Sequence, residues 1–560
     1  MTLHHLSAPL ASVPRSRWPL HGAAASRAVE SAAQATLPPH TLMQRAALAL
    51  ARWVRALYPH ARHIWVLAGP GNNGGDGLLA AALWQQWAHT DGLLDIQITV
   101  TWTGTEDRLP PDAAYALGMA RQAGVRFSTE APAHFDVAVD ALLGLGGRTE
   151  MPPAMETWLD LLRRSRQPVL QVDLPSGLSP DTGTWFGQSR LLAGAARSGP
   201  RHTLSLLTLK PGLFTGLGRD GAGDIWWDDL DVQPSAAHPP TAWLQMGSAR
   251  AIAARLRPHA HHKGSHGDVL VLGGQGLAAQ GTQGGAAMVG AALLAARGAL
   301  YAGAGRVLVG LLDGGALALD PQQPELMFRS VSRWMADPEA AFGAPGSAVV
   351  CGCGGGTAVE SVLPAVLTHS AALVLDADAL NAIARQPALQ DLLAQRGAVE
   401  PEAHAPRLTV LTPHPLEAAR LLGCTTDEVQ ANRLVAAQQL ADRFRTCVVL
   451  KGSGSVVAAP GLVPVVNGTG NARLATGGTG DVLAGLLGAR LAGLSVSYAD
   501  RLAAQVEPDV AWNEAAFDTT ADAVAEHGLR ADQWPEGQTL TASALAAAQV
   551  RNLATSPLRR

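Results

Sequence analysis

The densest group of glycines and side-chain oxygens in the sequence is the nonapeptide Gly69-Pro-Gly-Asn-Asn-Gly-Gly-Asp-Gly77. It follows the apolar run Ile64–Ala68 and precedes a helical pattern, so it joins a predicted strand to a predicted helix. Glycines allow positive φ and let backbone N–H groups approach a phosphate, which a helix N-terminus also favours. Asn72, Asn73 and Asp76 add oxygens that suit a cation or ribose hydroxyls. The motif lacks the dinucleotide fingerprint, and a ligand-free Asx-type turn is the alternative.

Two later strand ends carry similar residues, in Asp140-Ala-Leu-Leu-Gly-Leu-Gly-Gly147 and in Asp173-Leu-Pro-Ser-Gly177. The carboxyl ends of strands in an open α/β sheet converge on the ligand crevice. We therefore expect Asn73, Asp140, Asp173 and Ser176 to form one oxygen-lined site. Taken singly, each aspartate could instead cap a helix.

A second glycine-rich loop, Ala475-Thr-Gly-Gly-Thr-Gly-Asp481, opens a predicted helix in the other half of the chain. Its backbone N–H groups could stabilise a transferring phosphoryl group, and Asp481 is placed to accept a hydroxyl proton. Lys451-Gly-Ser-Gly-Ser455 follows a strand and supplies a positive charge for phosphates. No Lys-Ser or Lys-Thr pair ends the Ala475–Asp481 loop, so it is not a Walker A loop.

Lysine is rare in this chain, with only Lys210, Lys263 and Lys451 present. Positions that keep lysine could need a compact ammonium that a guanidinium cannot replace, although chance retention explains them equally simply.

Alternating strands and helices position these motifs in the first half. The predicted strands are Ile64–Ala68, Leu94–Thr101, Phe135–Val139, Pro168–Val172 and Thr203–Leu209. Helical patterns cover Pro111–Ala123 and Ala154–Arg164. This alternation predicts a mostly parallel sheet covered by helices on both faces.

The Pro- and Ala-rich segment Val232–Pro240 reads as a linker, after which a second strand–helix series begins. Its predicted strands are Asp268–Leu272, Arg306–Leu311, Ser347–Val350, Leu373–Leu375, Thr409–Leu411 and Thr446–Leu450. Helical patterns include Pro415–Leu422 and Asn432–Arg443. We expect an α/β protein of two three-layer αβα domains, residues 1–235 and 236–560.

Composition narrows the functional class. The 560 residues carry a net charge of −4, which gives no indication of a nucleic acid partner. Four cysteines without paired spacing exclude a disulfide framework and a zinc finger and fit a reducing cytoplasm. Met1–Leu20 has no continuous apolar stretch, so no signal peptide is expected. The Ala- and Gly-rich stretch Gly284–Gly305 reads as a buried helix rather than a membrane span.

The first-half motifs GPGNNGGDG, DALLGLGG and DLPSG, with Ser26–Glu30 and Leu42-Met43, resemble the NAD(P)HX epimerase family over residues 25–230. The likeness implies a Rossmann-like domain that binds hydrated nicotinamide nucleotide, and Lys210 matches a lysine in a late strand of that family. Asp173 would be the acid/base, which fits epimerisation of a carbinolamine by proton movement. Potassium would be held by Asn73, Asp140 and Ser176. The residues implied to contact the substrate are Asn72, Asn73, Gly74, Gly75, Asp76, Gly144, Leu145, Gly146, Gly147, Arg148, Thr149, Glu150 and Asp173.

Residues 245–550 resemble the ribokinase-like superfamily and, within it, the ADP- or ATP-dependent NAD(P)HX dehydratases. The motifs that carry this likeness are KGSHG from Lys263, Gly290-Ala291, Gly303–Gly305, DADALN from Asp376, TPHPLE from Thr412, KGSGS from Lys451, and Asn467–Asp481. The likeness implies Mg²⁺ and assigns the hydrate to Ala291, Gly354, His414 and the catalytic Asp481. It assigns the adenine nucleotide to Lys451, Gly452, Ser453, Gly454, Ser455 and Gly480.

Three departures from the dehydratase pattern stand out. Gly352-Cys-Gly-Gly-Gly356 replaces the family's GPGLG, Arg473 stands where a glycine is usual, and the segment between Gly274 and Gly290 is longer. His414 occupies the position where vitamin kinases of the superfamily carry Asn, which favours the dehydratase branch. His259, His261, His262 and His266 could bind a metal or form a solvated linker.

These features lead to the hypothesis of a bifunctional repair enzyme. One domain would epimerise hydrated NADH and NADPH, and the other would dehydrate them at the expense of ADP or ATP. Its partners would be these small molecules, with neither nucleic acid nor membrane, and the chain is expected to form a homo-oligomer. The alternative is a vitamin-precursor kinase fused to a non-catalytic nucleotide-binding module. The sequence does not decide between ADP and ATP as the phosphate donor, or between NADHX and NADPHX as the preferred substrate.

Overall fold

The computed structural model of the chain divides into two compact units. Unit 1 comprises Met1–Leu10 with Trp18–Leu244, and unit 2 comprises Ala11–Arg17 with Gln245–Arg560. The structure describes residues 3–6, 17–90, 92, 95–146, 152–186, 199–247, 259–276, 287–312, 317–398, 407–503 and 512–548.

Unit 1 is built on an eight-stranded sheet. The strands up to residue 245 are β1 His4–His5, β2 Arg17–Leu20, β3 His63–Ala68, β4 Gln97–Trp102, β5 Arg126–Phe127, β6 Val137–Ala141, β7 Val169–Val172, β8 Arg201–Leu206, β9 Asp224–Asp228 and β10 Ala242–Gln245. Eight of these ten strands, all except β2 and β10, form the sheet in the order β1-β9-β8-β7-β6-β3-β4-β5, and only β1 runs antiparallel to its neighbour. The helices are α1 Ala23–Gln34, α2 Thr41–Leu57, α3 Asn72–Thr90, α4 Pro111–Gln122, α5 Pro153–Arg164 and α6 Gly218–Ala222.

Both faces of this sheet are buried, as alternate residues of β3 show. Val66 belongs to the apolar cluster formed with α2, α3 and α4. Trp65 and Leu67 belong to a separate cluster that includes Leu159 and Leu162 of α5. A strand buried on both faces must be apolar throughout, which explains the unbroken apolar run.

Unit 2 contains nine consecutive strands of a second sheet. They are β11 Asp268–Gly273, β12 Arg306–Leu311, β13 Met327–Phe328, β14 Ser347–Cys351, β15 Ala372–Leu375, β16 Leu408–Leu411, β17 Cys447–Leu450, β18 Val456–Ala458 and β19 Val465–Asn467. Their order is β13-β12-β11-β14-β15-β16-β17-β18-β19. The first seven in this order are parallel, and β18 and β19 continue the sheet antiparallel.

Twelve helices are described in unit 2. They are α7 Val289–Tyr301, α8 Val331–Ala336, α9 Pro338–Phe342, α10 Leu363–His369, α11 Ala377–Arg385, α12 Pro387–Arg396, α13 Pro415–Leu422, α14 Thr426–Ala431, α15 Arg433–Phe444, α16 Thr479–Ala503, α17 Trp512–Asp532 and α18 Ala542–Ala547. Leu270 and Val349 face one apolar cluster, whereas Gly488 of α16 lies against Val269 and Val350 on the opposite face. Two three-layer αβα domains are thereby confirmed.

Two helices bear on the question of a membrane. The predicted buried helix in Gly284–Gly305 forms as α7, with only 13 residues. Within α16, Thr479–Ser497 is apolar and long enough to cross a membrane by length and composition alone. However, 61% of that stretch is buried inside the protein, as in the core helix of a globular domain.

Candidate active sites

The turn between β3 and α3 differs from the prediction. The helix already begins at Asn72, so most of the glycine-rich nonapeptide is helical rather than a loop. None of its five glycines has a positive φ. A Cβ at Gly69 would overlap the carbonyl oxygen of Leu142, and a Cβ at Gly74 would overlap the backbone of Gly69. Gly69 and Gly74 are therefore required by close backbone approach, and none of the five glycines uses the positive φ that the residue type allows.

Asp140 and Ser176 lie together at the ends of β6 and β7, as predicted. The backbone N–H and hydroxyl of Ser176 donate to the Asp140 carboxylate at 3.0 and 2.6 Å. Burial raises the pKa of Asp140, and the hydrogen bonds from Ser176 only partly oppose this shift. The Asn73 side chain lies beside Gly144, and its buried amide nitrogen has no partner among the described residues.

Asp173 is held in a strained conformation after β7. Its φ is +65°, a region that non-glycine residues seldom occupy. Its carboxylate accepts the backbone N–H of Leu206 at 3.1 Å and forms an ion pair with Lys210. Lys210 is 1% exposed and also donates to the Leu206 carbonyl at 2.7 Å. Strand β8 ends at Leu206, three residues before the predicted end at Leu209. Lys210 therefore lies in the loop after the strand, and not in a late strand as the family likeness implied.

Asp76 is a second unusual carboxyl in this region. It lies near the start of α3 and is buried. Burial raises its pKa well above the ordinary value, and the charges of Asp173 and Glu30 raise it further. The pKa of Glu30 is raised for the same principal reason. No role was predicted for Glu30, although it ends the segment Ser26–Glu30 that resembles the epimerase family.

A cavity of about 680 Å³ lies between Asp76 and Asp173, and this volume is typical of ligand pockets. It is lined by the predicted Asn72, Asn73, Asp76, Gly144, Leu145, Gly146 and Asp173, together with Glu30 and Lys210. Gly74, Gly75, Asp140 and Ser176 are not among its lining residues. Gly147, Arg148, Thr149 and Glu150 lie outside the described residues.

The second site forms where α16 begins. Gly478 has a φ of +93°, and Asp481 lies in the first turn of the helix. Lys451 follows β17, and its Nζ lies 3.5 Å from where a Cβ of Gly480 would stand. That ammonium donates to Asp376 Oδ1 at 2.6 Å. The lysine predicted from the sequence thus reaches the start of the predicted helix, where a phosphoryl group would be favoured.

Asp481 has the electrostatics of a general base. Burial and then the charge of Asp376 raise its pKa to about 7, against the opposing effects of Cys353 and Lys451. A carboxylate with a pKa near the working pH balances proton affinity against the fraction that is ionised.

Cys353 and Asp376 complete this group but were missed as site residues. Cys353 Sγ, Asp376 and Asp481 have ligand atoms within 4.8 Å of one another, and Cys353 Sγ lies 4.0 Å from Asp376 Oδ2. Asp376 belongs to a quoted family motif, and Cys353 stands where the family has proline. That substitution was the only available signal for the thiol.

His414 and Glu417 border the same site at the start of α13. Nδ1 of the His414 ring accepts hydrogen bonds from the backbone N–H groups of residues 416 and 417. The Glu417 carboxylate in turn accepts a hydrogen bond from the backbone N–H of His414 at 2.8 Å. Burial lowers the pKa of His414 and raises that of Glu417 to about 7. Lys451 donates its backbone N–H to Pro413 at 2.9 Å, which places the ring next to the lysine loop.

The remaining predicted hydrate contacts, Ala291 and Gly354, are adjacent. Gly354 has a φ of +59°, and its Cβ would stand 2.9 Å from Ala291 Cβ. Gln275 donates its backbone N–H to the Gly354 carbonyl at 2.6 Å. Gln275 begins the longer segment noted in the sequence and was not predicted to approach this loop.

The nucleotide loop Lys451–Ser455 is a tight turn. Gly452 and Gly454 have φ of 143° and 64°, and Ser455 Oγ donates to the Gly452 carbonyl at 3.1 Å. Buried Arg433 supports the loop by donating to the carbonyls of Leu450 and Lys451, both at 3.1 Å. Arg433 was not singled out in the sequence.

Other departures have local roles. His262 caps the short turn Lys263–His266, and Arg473 donates its backbone N–H to Asn471 Oδ1 at 3.1 Å. Lys263 is exposed, whereas Lys210 and the partly buried Lys451 each form an ion pair with a buried aspartate, so two of the three lysines occupy the sites.

Comparison with known proteins yields a family match for each half. Residues 39–212 match the family of the YjeF-related protein N-terminus, and residues 282–551 match the NAD(P)H-hydrate dehydratase family. The bifunctional NAD(P)H-hydrate repair enzyme of Escherichia coli (strain K12) is 34% identical over 500 residues, covering 88% of each chain. The corresponding enzyme of Leishmania braziliensis is 33% identical, covering 90% of this chain and 86% of its own.

A solved structure is also similar. The ADP/ATP-dependent NAD(P)H-hydrate dehydratase of Bacillus subtilis, co-crystallised with ATP and Mg²⁺, is 28% identical over 52% of this chain and 90% of its own, with a TM-score of 0.38.

Proposed function

Because the chain belongs to the family of bifunctional NAD(P)H-hydrate repair enzymes, we propose that it restores hydrated NADH and NADPH in two active sites. Residues 1–235 would interconvert the two epimers of the hydrate, and residues 236–560 would dehydrate one of them. The presence of a separate buried acid–lysine constellation in each unit supports this division.

In the epimerase site, Asp173 is the proposed acid/base. Its carboxylate faces the cavity, and its contact with Lys210 fixes its orientation. Inversion at the hydrated carbon requires a proton to move on and off the substrate, which a positioned carboxylate can perform. We assign substrate contacts to Asn72–Asp76 and Gly144–Glu150.

A potassium ion fits the residues proposed to hold it. Asp140 supplies a buried carboxylate whose charge burial disfavours, Ser176 a hydroxyl, and Asn73 an amide without a partner among the described residues. A monovalent cation would compensate the Asp140 charge and supply fixed positive potential at the carboxyl ends of β6 and β7.

In the dehydratase site, Asp481 is the proposed base for phosphoryl transfer from ADP or ATP. A bond forms between the hydrate hydroxyl oxygen and the terminal phosphorus of the nucleotide as the phosphoanhydride bond breaks, so that AMP leaves from ADP or ADP from ATP, and the hydroxyl proton passes to Asp481. The carbon–oxygen bond then breaks and phosphate leaves in place of hydroxide, which is a far poorer leaving group. The adjacent ring carbon loses a proton, and the electron pair of that carbon–hydrogen bond restores the carbon–carbon double bond. His414, Ala291 and Gly354 would contact the hydrate, whereas Lys451–Ser455 and Gly480 would bind the nucleotide.

Mg²⁺ would enter this site with the nucleotide. The ion favours oxygen ligands and commonly joins one or two carboxylates to phosphates. Asp376 offers such a carboxylate close to Asp481 and the helix N-terminus. Lys451 adjoins both the carboxylates and the start of α16, so it can neutralise charge on the transferring group.

The setting of the protein follows from its substrates. We propose that it acts in the cytoplasm as a homo-oligomer on small molecules, without a nucleic acid or membrane partner. The four cysteines are free, which supports a reducing compartment.

The single observation that carries the dehydratase assignment is the position of Asp481 beside Asp376 and Lys451 at the glycine-rich helix start. Its test supplies a mixture of both hydrate epimers with Mg²⁺ and ADP, ATP or no nucleotide, and follows the absorbance of reduced nicotinamide. We expect full recovery with one nucleotide and none without. Accumulation of a stable phosphorylated product would instead indicate a kinase.

A further inference from the structure

Two histidines and an aspartate meet on the surface of unit 1, away from the proposed active site. His63 begins β3, and His134 and Asp136 directly precede β6, its parallel neighbour. Their potential ligand atoms all lie within 4.8 Å of one another. The active-site residues follow the opposite ends of the same strands. A strand of this length spans roughly 17 Å, so the two groups are separated by the length of the strands and lie at their opposite ends.

The donor atoms are already close to the spacing that a tetrahedral metal requires. His63 Nδ1 lies 3.5 Å from Asp136 Oδ2, and His134 Nε2 lies 3.1 Å from Asp136 Oδ1. Metal–ligand bonds of about 2.0–2.1 Å at tetrahedral angles separate neighbouring donors by roughly 3.3 Å. Small side-chain rotations would therefore direct all three donors at one ion.

The backbone fixes the central carboxylate. Asp136 Oδ2 accepts the N–H groups of Arg62 and His63 at 2.8 and 2.9 Å, and the Asp136 N–H donates to the His63 carbonyl at 2.9 Å. Such outer hydrogen bonds orient a ligand before the metal arrives. His134 is 62% exposed at its side chain, so an ion has access from solvent.

We propose that His63, His134 and Asp136 form a binding site for a divalent transition metal of the Zn²⁺ class. Two imidazoles and one carboxylate match the ligands that such ions prefer, with water completing the shell. Mg²⁺ prefers oxygen ligands and does not fit this set, so the site is distinct from the Mg²⁺ requirement of dehydration. The ion would tie the start of β3 to the start of β6 and stabilise unit 1 by binding its folded form.

The test is Zn²⁺ titration of the full chain without a histidine tag, monitored by calorimetry. The histidines at 259–266 form another group of imidazoles, so the informative quantity is the difference in stoichiometry between variants. His134→Ala changes an exposed loop side chain and removes one donor. His89→Ala is the matched control, because His89 is also exposed and lies in unit 1.

We expect His134→Ala to bind one equivalent of Zn²⁺ fewer than the wild type, and His89→Ala to bind as the wild type does. Zn²⁺ should raise the thermal unfolding midpoint of the wild type more than that of His134→Ala, and excess Mg²⁺ should not compete. Epimerisation by apo His134→Ala should be unchanged, which separates this proposal from the catalytic one. Equal stoichiometry in wild type and His134→Ala would overturn the proposal.

Discussion

At the scale of single residues, the two proposed catalytic carboxyls are supported differently. Asp173 contacts its lysine, Lys210, directly. Asp481 lies beside a second carboxylate, Asp376, and it is Asp376 that forms the ion pair with the ammonium of Lys451. Burial and this neighbouring negative charge leave Asp481 with a pKa of about 7.

Dehydration should consequently depend on pH near neutrality. Asp481 accepts a proton only when ionised, so kcat/KM for dehydration should rise as pH increases through about 7 and level off above it. Measurement between pH 5.5 and 9 with saturating nucleotide tests this dependence. A rate that is constant from pH 6 to 8 would contradict the assignment of Asp481 as base.

The thiol of Cys353 should shift that profile. Its hydrogen bond favours the ionised form of Asp481, so Cys353→Ala should move the rising limb to higher pH. We expect dehydration at pH 7 to fall about two- to fivefold and to recover at pH 9. Cys424→Ala provides the control, because Cys424 is not part of the site. An equal loss at every pH would mean that the thiol acts only through packing.

At the scale of elements, strand ends and glycines position the chemistry. Periodicity predicted which apolar runs become strands because a doubly buried strand must be apolar throughout. It could not show why Gly69 and Gly74 are glycines. Gly69 is constrained by the backbone of Leu142, which is distant in sequence and adjacent only through the pairing of β3 with β6, and Gly74 is constrained by the backbone of Gly69.

Substitution at Gly74 should damage the first site selectively. A Cβ there would overlap the Gly69 backbone, so Gly74→Ala should displace the start of α3 and destabilise unit 1 by about 1–3 kcal/mol. Epimerisation should fall at least tenfold while dehydration of the purified reactive epimer persists. Gly118→Ala is the control, since a Cβ at this helical position meets nothing within 4 Å. Thermal unfolding, epimerisation and dehydration, each measured on both variants, test this prediction.

At the scale of the whole molecule, the fold class predicted from the sequence is confirmed, whereas the roles assigned to the site residues stay predictions. Motifs at strand ends brought Asn73, Asp140 and Ser176 into one region because parallel strands deliver their carboxyl ends to one edge. The contact of Cys353 with Asp481 could not be foreseen, since it depends on how a loop after β14 meets the start of α16. The short strands β18 and β19 were missed because three residues show too little periodicity.

The most direct measurement compares Asp481→Asn with Asp173→Asn on a mixture of hydrate epimers. With Asp481→Asn, no reduced coenzyme should form, yet an epimer ratio displaced from equilibrium should still relax at the wild-type rate. With Asp173→Asn, reduced coenzyme should form only from the epimer that the second site accepts, and the other should remain. Recovery of reduced coenzyme by Asp481→Asn at more than about one-hundredth of the wild-type rate would contradict the account.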